Sequence, residues 1–228
     1  MNYVEPIRSI EDIKNIEMFL KASRYGERDF LIFSIGINIG LRISDILKLK
    51  VSDIKNKDKI TIREQKTSKL KTFPINEKIR NNIVKFIEQF NLSDNDYLFF
   101  SQKTLGNKPI DRINFYRRLN SASKKAGIKT NIGTHSMRKT FGYHFYKQTK
   151  DLTMLQRIFN HSNSSTTLRY IGITQDNIDN AYKLFEFKEN NQEEKNEIIE
   201  RIDRLEETII TLLDYLQGII LNKRGATK

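Results

Sequence analysis

Thr134-His135-Ser136-Met137-Arg138-Lys139-Thr140-Phe141 is the stretch on which the reading of this chain turns. A histidine and an arginine three residues apart share one face of a helix, so an imidazole and a guanidinium can be presented to one point. The guanidinium is a planar fork of donors that grips phosphate bidentately. Downstream come His161-Ser162-Asn163 and then Tyr170, so two of the three histidines and a phenol fall within 36 residues. A tyrosine hydroxyl beside such a site can act as a nucleophile toward phosphorus. Far upstream, Gly40-Leu41-Arg42-Ile43-Ser44-Asp45-Ile46-Leu47 brings a second arginine, Arg42, just after a strongly apolar run and a glycine. A lone histidine is more often a satisfied structural residue. The ordered company of two arginines and a tyrosine reverses that weighting.

Composition agrees with a phosphate-bearing partner. The 228 residues hold 40 Lys+Arg against 28 Asp+Glu, a formal charge of +12. From Glu189 onward there are nine acidic and six basic residues, net −3, so residues 1–188 carry +15. A basic body of this size suits a polyanion whose backbone supplies most of the affinity. With no cysteine, disulfides and thiolate metal sites are excluded, and three histidines make a poor metal-ligand set. Neither a signal-peptide pattern nor an apolar run long enough for a membrane span is present, so a cytoplasmic protein without membrane contact is expected.

Around the two arginines the periodicity predicts a mostly helical domain. Ser9-Ile10-Glu11-Asp12 has the form of a capping box before Ile13, Ile16, Phe19 and Leu20. A second, buried helix is expected over Arg28 to Ile39 and a third over Ile43 to Leu49. Lys59 to Ile62 and Thr72 to Ile75 read as two short strands joined by a polar turn, Glu64 to Lys71. Asn76 caps a helix reaching Phe90, and Asp111 to Ala126 reads as a basic helix stopped by Gly127. Further helices are expected from Thr134, over Leu152 to Phe159 and over Asn177 to Phe187, with Tyr170 between the last two. In the tail, Ile198, Ile202, Leu205, Ile209, Leu212, Leu216 and Ile219 alternate spacings of four and three, an a/d heptad pattern. The organisation expected is a domain over 1–188, a linker over 189–197 and an amphipathic or coiled-coil helix over 198–222. A helix folded back on its own domain is the competing reading of that stripe.

The ordered set of motifs resembles the catalytic domain of the tyrosine recombinases, the phage-integrase family. The first box is matched by Gly40-Leu41-Arg42 through Leu49, with Val51-Ser52-Asp53-Ile54 following, and the second by Thr134 to Phe141. The third is matched by Leu155 to Ser162 and by Thr166-Thr167-Leu168-Arg169-Tyr170. The spacings fit too, with 23 residues from Arg138 to His161 and 9 from His161 to Tyr170. The resemblance covers about residues 9–187 and implies a mainly α fold with a small antiparallel β-sheet, extended here by the heptad helix. Two positions depart from the usual pattern. Asp45 stands where glutamate is usual, and Asn160 stands where glycine is usual.

What the resemblance implies is a site-specific DNA recombinase that cuts and rejoins strands through a 3′-phosphotyrosyl link, with no cofactor and no metal. Arg42 and Arg138 would clamp the phosphate, Tyr170 would attack it, and His161 would donate to a non-bridging oxygen. His135 would be base or phosphate partner. Lys66, on the hairpin turn 24 residues after Arg42, would protonate the leaving oxygen. Lys69 and Lys71 compete with Lys66 for that role. The partners implied are double-stranded DNA and further copies of the chain, a dimer or a tetramer on DNA, joined through the tail helix. Arg112, Asn114, Tyr116, Arg117, Arg118 and Lys124 are the candidates for reading bases or holding phosphates. Alternatives are a type IB topoisomerase-like DNA-relaxing enzyme and a non-catalytic DNA-binding regulator of the same fold. Members of the family usually carry an amino-terminal DNA-binding domain, and here only 41 residues precede Arg42.

Overall fold

A computed structural model describes residues 4–64, 70–101, 108–173, 182–183, 199–209 and 212. It divides into two compact units, Met1–Ile178 and Asp179–Lys228. The first is built on α2 (Gly26–Ile39), whose residues Phe30 to Ile35 are all buried. α1 (Ile10–Lys21) lies against α2 with Ile16 and Leu20 inward, and the Ser9 hydroxyl accepts the Asp12 N–H at its start. Ile39 ends α2, because Gly40 takes the left-handed conformation at φ 70°. A Cβ at Gly40 would collide with the Phe141 ring, so glycine is required on two counts.

Gly40 turns the chain into α3 (Ile43–Ile46), a single turn rather than the helix to Leu49 expected from the pattern. Leu47, Leu49 and Val51 all enter the core, and such close spacing of buried side chains cannot be met by one straight helix. A 3₁₀ turn at Val51–Asp53 follows, with the Asp53 carboxylate accepting the Lys50 N–H. β1 (Lys59–Arg63) pairs antiparallel with β2 (Leu70–Pro74) in the register Ile60↔Phe73 and Ile62↔Lys71. α4 (Glu77–Gln89) is capped by Asn76, as the sequence predicts, and α5 (Arg112–Lys125) is capped by Asp111.

α6 (Thr134–Thr149) crosses α2 and ends in left-handed Lys150 at φ 56°. α7 (Leu152–Phe159) is capped by Asp151. Tyr170 does not lie between helices, since it is the last residue of α8 (Ser164–Tyr170), capped by Asn163. The expected Asn177 to Phe187 helix lies outside the described residues except Tyr182 and Lys183, which are helical. Leu155, Phe159 and Ile171 form a small second core with Phe141, Phe145 and Tyr170 packed on it. An extended segment, Val4 to Arg8, straps over α6. Ile7 N–H donates to the Thr140 hydroxyl at 2.9 Å and Lys139 Nζ to the Val4 carbonyl at 2.8 Å. At the far end Arg8 reaches the Gly172 carbonyl at 3.3 Å.

In the second unit, residues 199–209 are helical, and Ile199, Ile202, Leu205, Ile209 and Leu212 are all exposed. No helix among the described residues is long and apolar enough to cross a membrane.

One buried charge cluster ties α2 to α5. Asp29 is fully buried and takes Arg28 at 3.1 Å and Arg118 at 3.2 Å. Arg28 also donates to the Phe100 carbonyl, and the Tyr25 ring covers both guanidiniums. Arg118 thus has one guanidinium nitrogen held by Asp29, while its side chain stays a quarter exposed. Removing one member of a buried pair strands the other charge. Asp29→Ala is expected to lose about 3–5 kcal/mol of stability, read by urea unfolding. In the same assay Gly40→Ala is expected to lose about 1–2 kcal/mol from its left-handed backbone alone, and more from Phe141.

Candidate active site

Arg138 lies at the centre. It sits one turn into α6, 3% exposed, in a pocket closed by two carbonyls. Its Nη1 donates to Gly40 O at 2.5 Å and its Nη2 to Phe159 O at 3.1 Å. Both carbonyls lie where a helix ends, so each is short of an intrahelical partner and turns its dipole toward the cation. The Phe159 ring stacks beneath the guanidinium at 4.3 Å. Burial lowers the Arg138 pKa to about 10, which still leaves the group charged at neutral pH.

Arg42 approaches from the other side. It is the residue before α3, in extended conformation, and Gly40 is the bend that aims it. Its Nη1 donates to Glu64 Oε1 at 2.8 Å. Lys71 Nζ stands 3.6 Å from the same oxygen and donates to Ile158 O at 2.8 Å. Burial lowers the Lys71 pKa, and Glu64 works against that. Glu64 was expected on a polar turn, yet it is 1% exposed. Strand alternation is the signal for it. Ile60, Ile62 and Glu64 share one face, as Lys71 and Phe73 do on the partner strand. Lys66, together with Lys69, lies outside the described residues.

Tyr170 reaches the two arginines from α8. Burial raises its pKa, while the cations Arg138 and Arg42 pull it back down. Its ring meets Phe159 edge-on at 5.5 Å and His161 at 5.4 Å. Asn160 ends α7 at φ 54°, a left-handed position where asparagine is the best substitute for glycine. That bend delivers His161, whose Nδ1 lies 3.0 Å from the Thr167 hydroxyl. The Thr167 hydroxyl in turn donates to Asn163 O at 3.3 Å, which ties the His161 ring to the start of α8. His135 opens α6. Partial desolvation of its ring lowers its pKa, helped by the cations Arg112, Lys139, Arg138 and Arg42.

Arg42, Arg138 and Tyr170 thus converge, with His161 against the phenol and His135 within electrostatic reach of both arginines. The arrangement is a cationic cradle with one phenol at its edge. It can hold an anion with two negative oxygens and present an attacking oxygen to it. No cluster of metal-ligating side chains occurs among the described residues. Arg112, Asn114, Tyr116, Arg117 and Lys124 are exposed along α5.

Comparison with known proteins gives the family. The chain is 46% identical over 185 residues to the probable integrase/recombinase YoeC of Bacillus subtilis, covering 81% of this chain and 98% of that protein. Other curated relatives, tyrosine recombinases of 24–29% identity, are longer, and the chain spans 54–63% of their length. Among solved structures, XerA recombinase superposes with a TM-score of 0.64 at 22% identity, covering 80% of this chain and 64% of that one. The catalytic domain of bacteriophage HP1 integrase superposes with a TM-score of 0.56 at 24% identity, covering 80% and 95%. Those likenesses establish a shared fold. Residues 11–176, which contain every residue of the cradle, match the model of the phage integrase family, and the chain belongs to that family.

Proposed function

We propose that the protein is a site-specific tyrosine recombinase and that Arg42, Lys66, His135, Arg138, His161 and Tyr170 do its chemistry. The observation that carries this is the convergence of Arg42 and Arg138 on the phenol of Tyr170. A phosphodiester resists attack because its oxygens are negative, and fixed cations lower that barrier most. With DNA bound, Tyr170 Oη forms a bond to phosphorus while the bond from phosphorus to the 5′ oxygen breaks. The phenol proton goes to a base, and the 5′ oxygen takes a proton from Lys66. A 5′ hydroxyl of a second duplex then attacks the phosphotyrosine and releases Tyr170. The number of phosphoester bonds is unchanged, so the exchange needs no energy source. His135 suits the base role because its lowered pKa keeps it neutral at pH 7.

Residues 1–188 would form the catalytic domain, 189–197 a linker and 198–222 a helix that joins copies of the chain. Two observations support the last assignment. The a and d positions of residues 199–212 are exposed, and this stretch lies beyond the matched 11–176. Joining protomers would add avidity on DNA.

A duplex from around the encoding gene, nicked beside its cleavage point so that the short fragment bearing the freed 5′ hydroxyl is lost, traps the covalent intermediate. Wild type is expected to give a protein–DNA adduct on a denaturing gel, and Tyr170→Phe none; strong binding with no adduct from either would leave a regulator. Recombinant junctions as products would separate this protein from a topoisomerase. Because His135 must be neutral, adduct formation is expected to fall with decreasing pH only below 6.5, its unperturbed pKa, and His135→Asn is expected to lose that limb. Deleting residues 193–228 is expected to reduce the mass found by light scattering to that of a monomer. An unchanged mass would place self-association elsewhere.

A further inference from the structure

Glu64 is a buried carboxylate in contact with the cradle that the proposed chemistry leaves without a role. Its Oε1 lies 2.8 Å from Arg42 and 3.6 Å from Lys71. Lys71 in turn donates to Ile158 O, and the next carbonyl along, Phe159 O, accepts Arg138. Arg138 also bonds Gly40 O, two residues before Arg42. The contacts close into a ring that runs Arg42, Glu64, Lys71, the end of α7, Arg138, Gly40 and back to Arg42. We propose that Glu64 is a positioning residue, whose carboxylate holds the Arg42 guanidinium at the phosphate site and, through Lys71, ties the hairpin to the end of α7. The assignment rests on the recombinase reading for its purpose, though not for its geometry.

Two arguments support it. Three cations crowded in a protein interior repel one another, and without a counter-charge Arg42 would swing out toward water. A buried carboxylate is itself costly unless paired and hydrogen-bonded, so one placed here calls for a purpose beyond stability. Geometry supplies the second. A guanidinium gripped by one nitrogen presents its other N–H groups in a fixed plane, the pre-organisation a phosphate clamp needs. Before DNA arrives the carboxylate offsets the local charge. Once DNA is bound, the phosphate meets an arginine already oriented.

The test reads Arg42 through its neighbour. Tyr170 ionisation is followed by pH titration of the full chain labelled with ζ-carbon-13 tyrosine, the Tyr170 resonance being assigned by its loss in Tyr170→Phe. Arg42→Ala raises the Tyr170 pKa, because Arg42 lowers it. Glu64→Ala is expected to raise it in the same direction, and the double variant no further than the larger single effect. Glu64→Asp keeps the charge but withdraws the oxygen by one methylene, and is also expected to raise it. A Tyr170 pKa lowered in Glu64→Ala, as simple loss of a negative charge would do, overturns the proposal, as does an unchanged value in Glu64→Asp. Should Glu64→Ala fail to fold, the Asp variant alone decides. The titration needs no DNA, so its failure is distinct from an absent covalent adduct. Where the adduct forms, its rate is expected to drop equally in Glu64→Ala and Arg42→Ala, without addition in the double variant.

Discussion

A guanidinium held inside the protein by two backbone carbonyls is the constraint on which the rest depends. Arg138 can be buried only while Gly40 O and Phe159 O both face it, because an uncompensated interior charge costs several kcal/mol. That condition fixes three things at once. It sets where α2 stops, where α7 stops, and how far apart α6 holds them. Phe159 contributes twice, through its carbonyl and through its ring, which also forms the floor under Tyr170. The second core of Leu155, Phe159 and Ile171 is therefore the platform of the site as much as packing.

Helix ends do most of the aiming. Gly40 and Asn160 both adopt left-handed backbone, and each is followed within two residues by a side chain of the cradle, Arg42 or His161. A helix gives a rigid vector, but its side chains radiate at fixed 100° steps. A left-handed residue breaks that progression and lets the next side chain point where the helix would not have sent it. The asparagine in place of the usual glycine keeps this function because its backbone tolerates positive φ.

Much of this was legible in the chain. Caps at Ser9 and Asn76, the heavily apolar α2 and the spacing of Arg42, Arg138, His161 and Tyr170 are local signals, and they survived folding. What escaped were features set by tertiary context. α8 is two serines, two threonines, Leu168, Arg169 and Tyr170, with no apolar stripe, and it forms on an asparagine cap and on packing of Thr167 and Tyr170. Glu64 and Lys71 looked like turn residues, since a charged side chain at the end of a strand usually meets water. Pairing of Glu64 with Arg42 and Lys71, and of Lys71 with Ile158 O, makes their inward face acceptable. The pairing of Arg118 escaped for the same reason, its partner Asp29 lying 89 residues earlier.

The strap from Val4 to Arg8 has one more consequence. It binds α6 at Lys139, Thr140 and His144 and finishes on the Gly172 carbonyl, two residues past Tyr170, with Pro6 packed close to that glycine. The amino-terminal strap and the residues just past Tyr170 are thus stitched together, though 164 positions separate Arg8 from Gly172 in the chain. A pull on Val4 would load that stitch as well as α6.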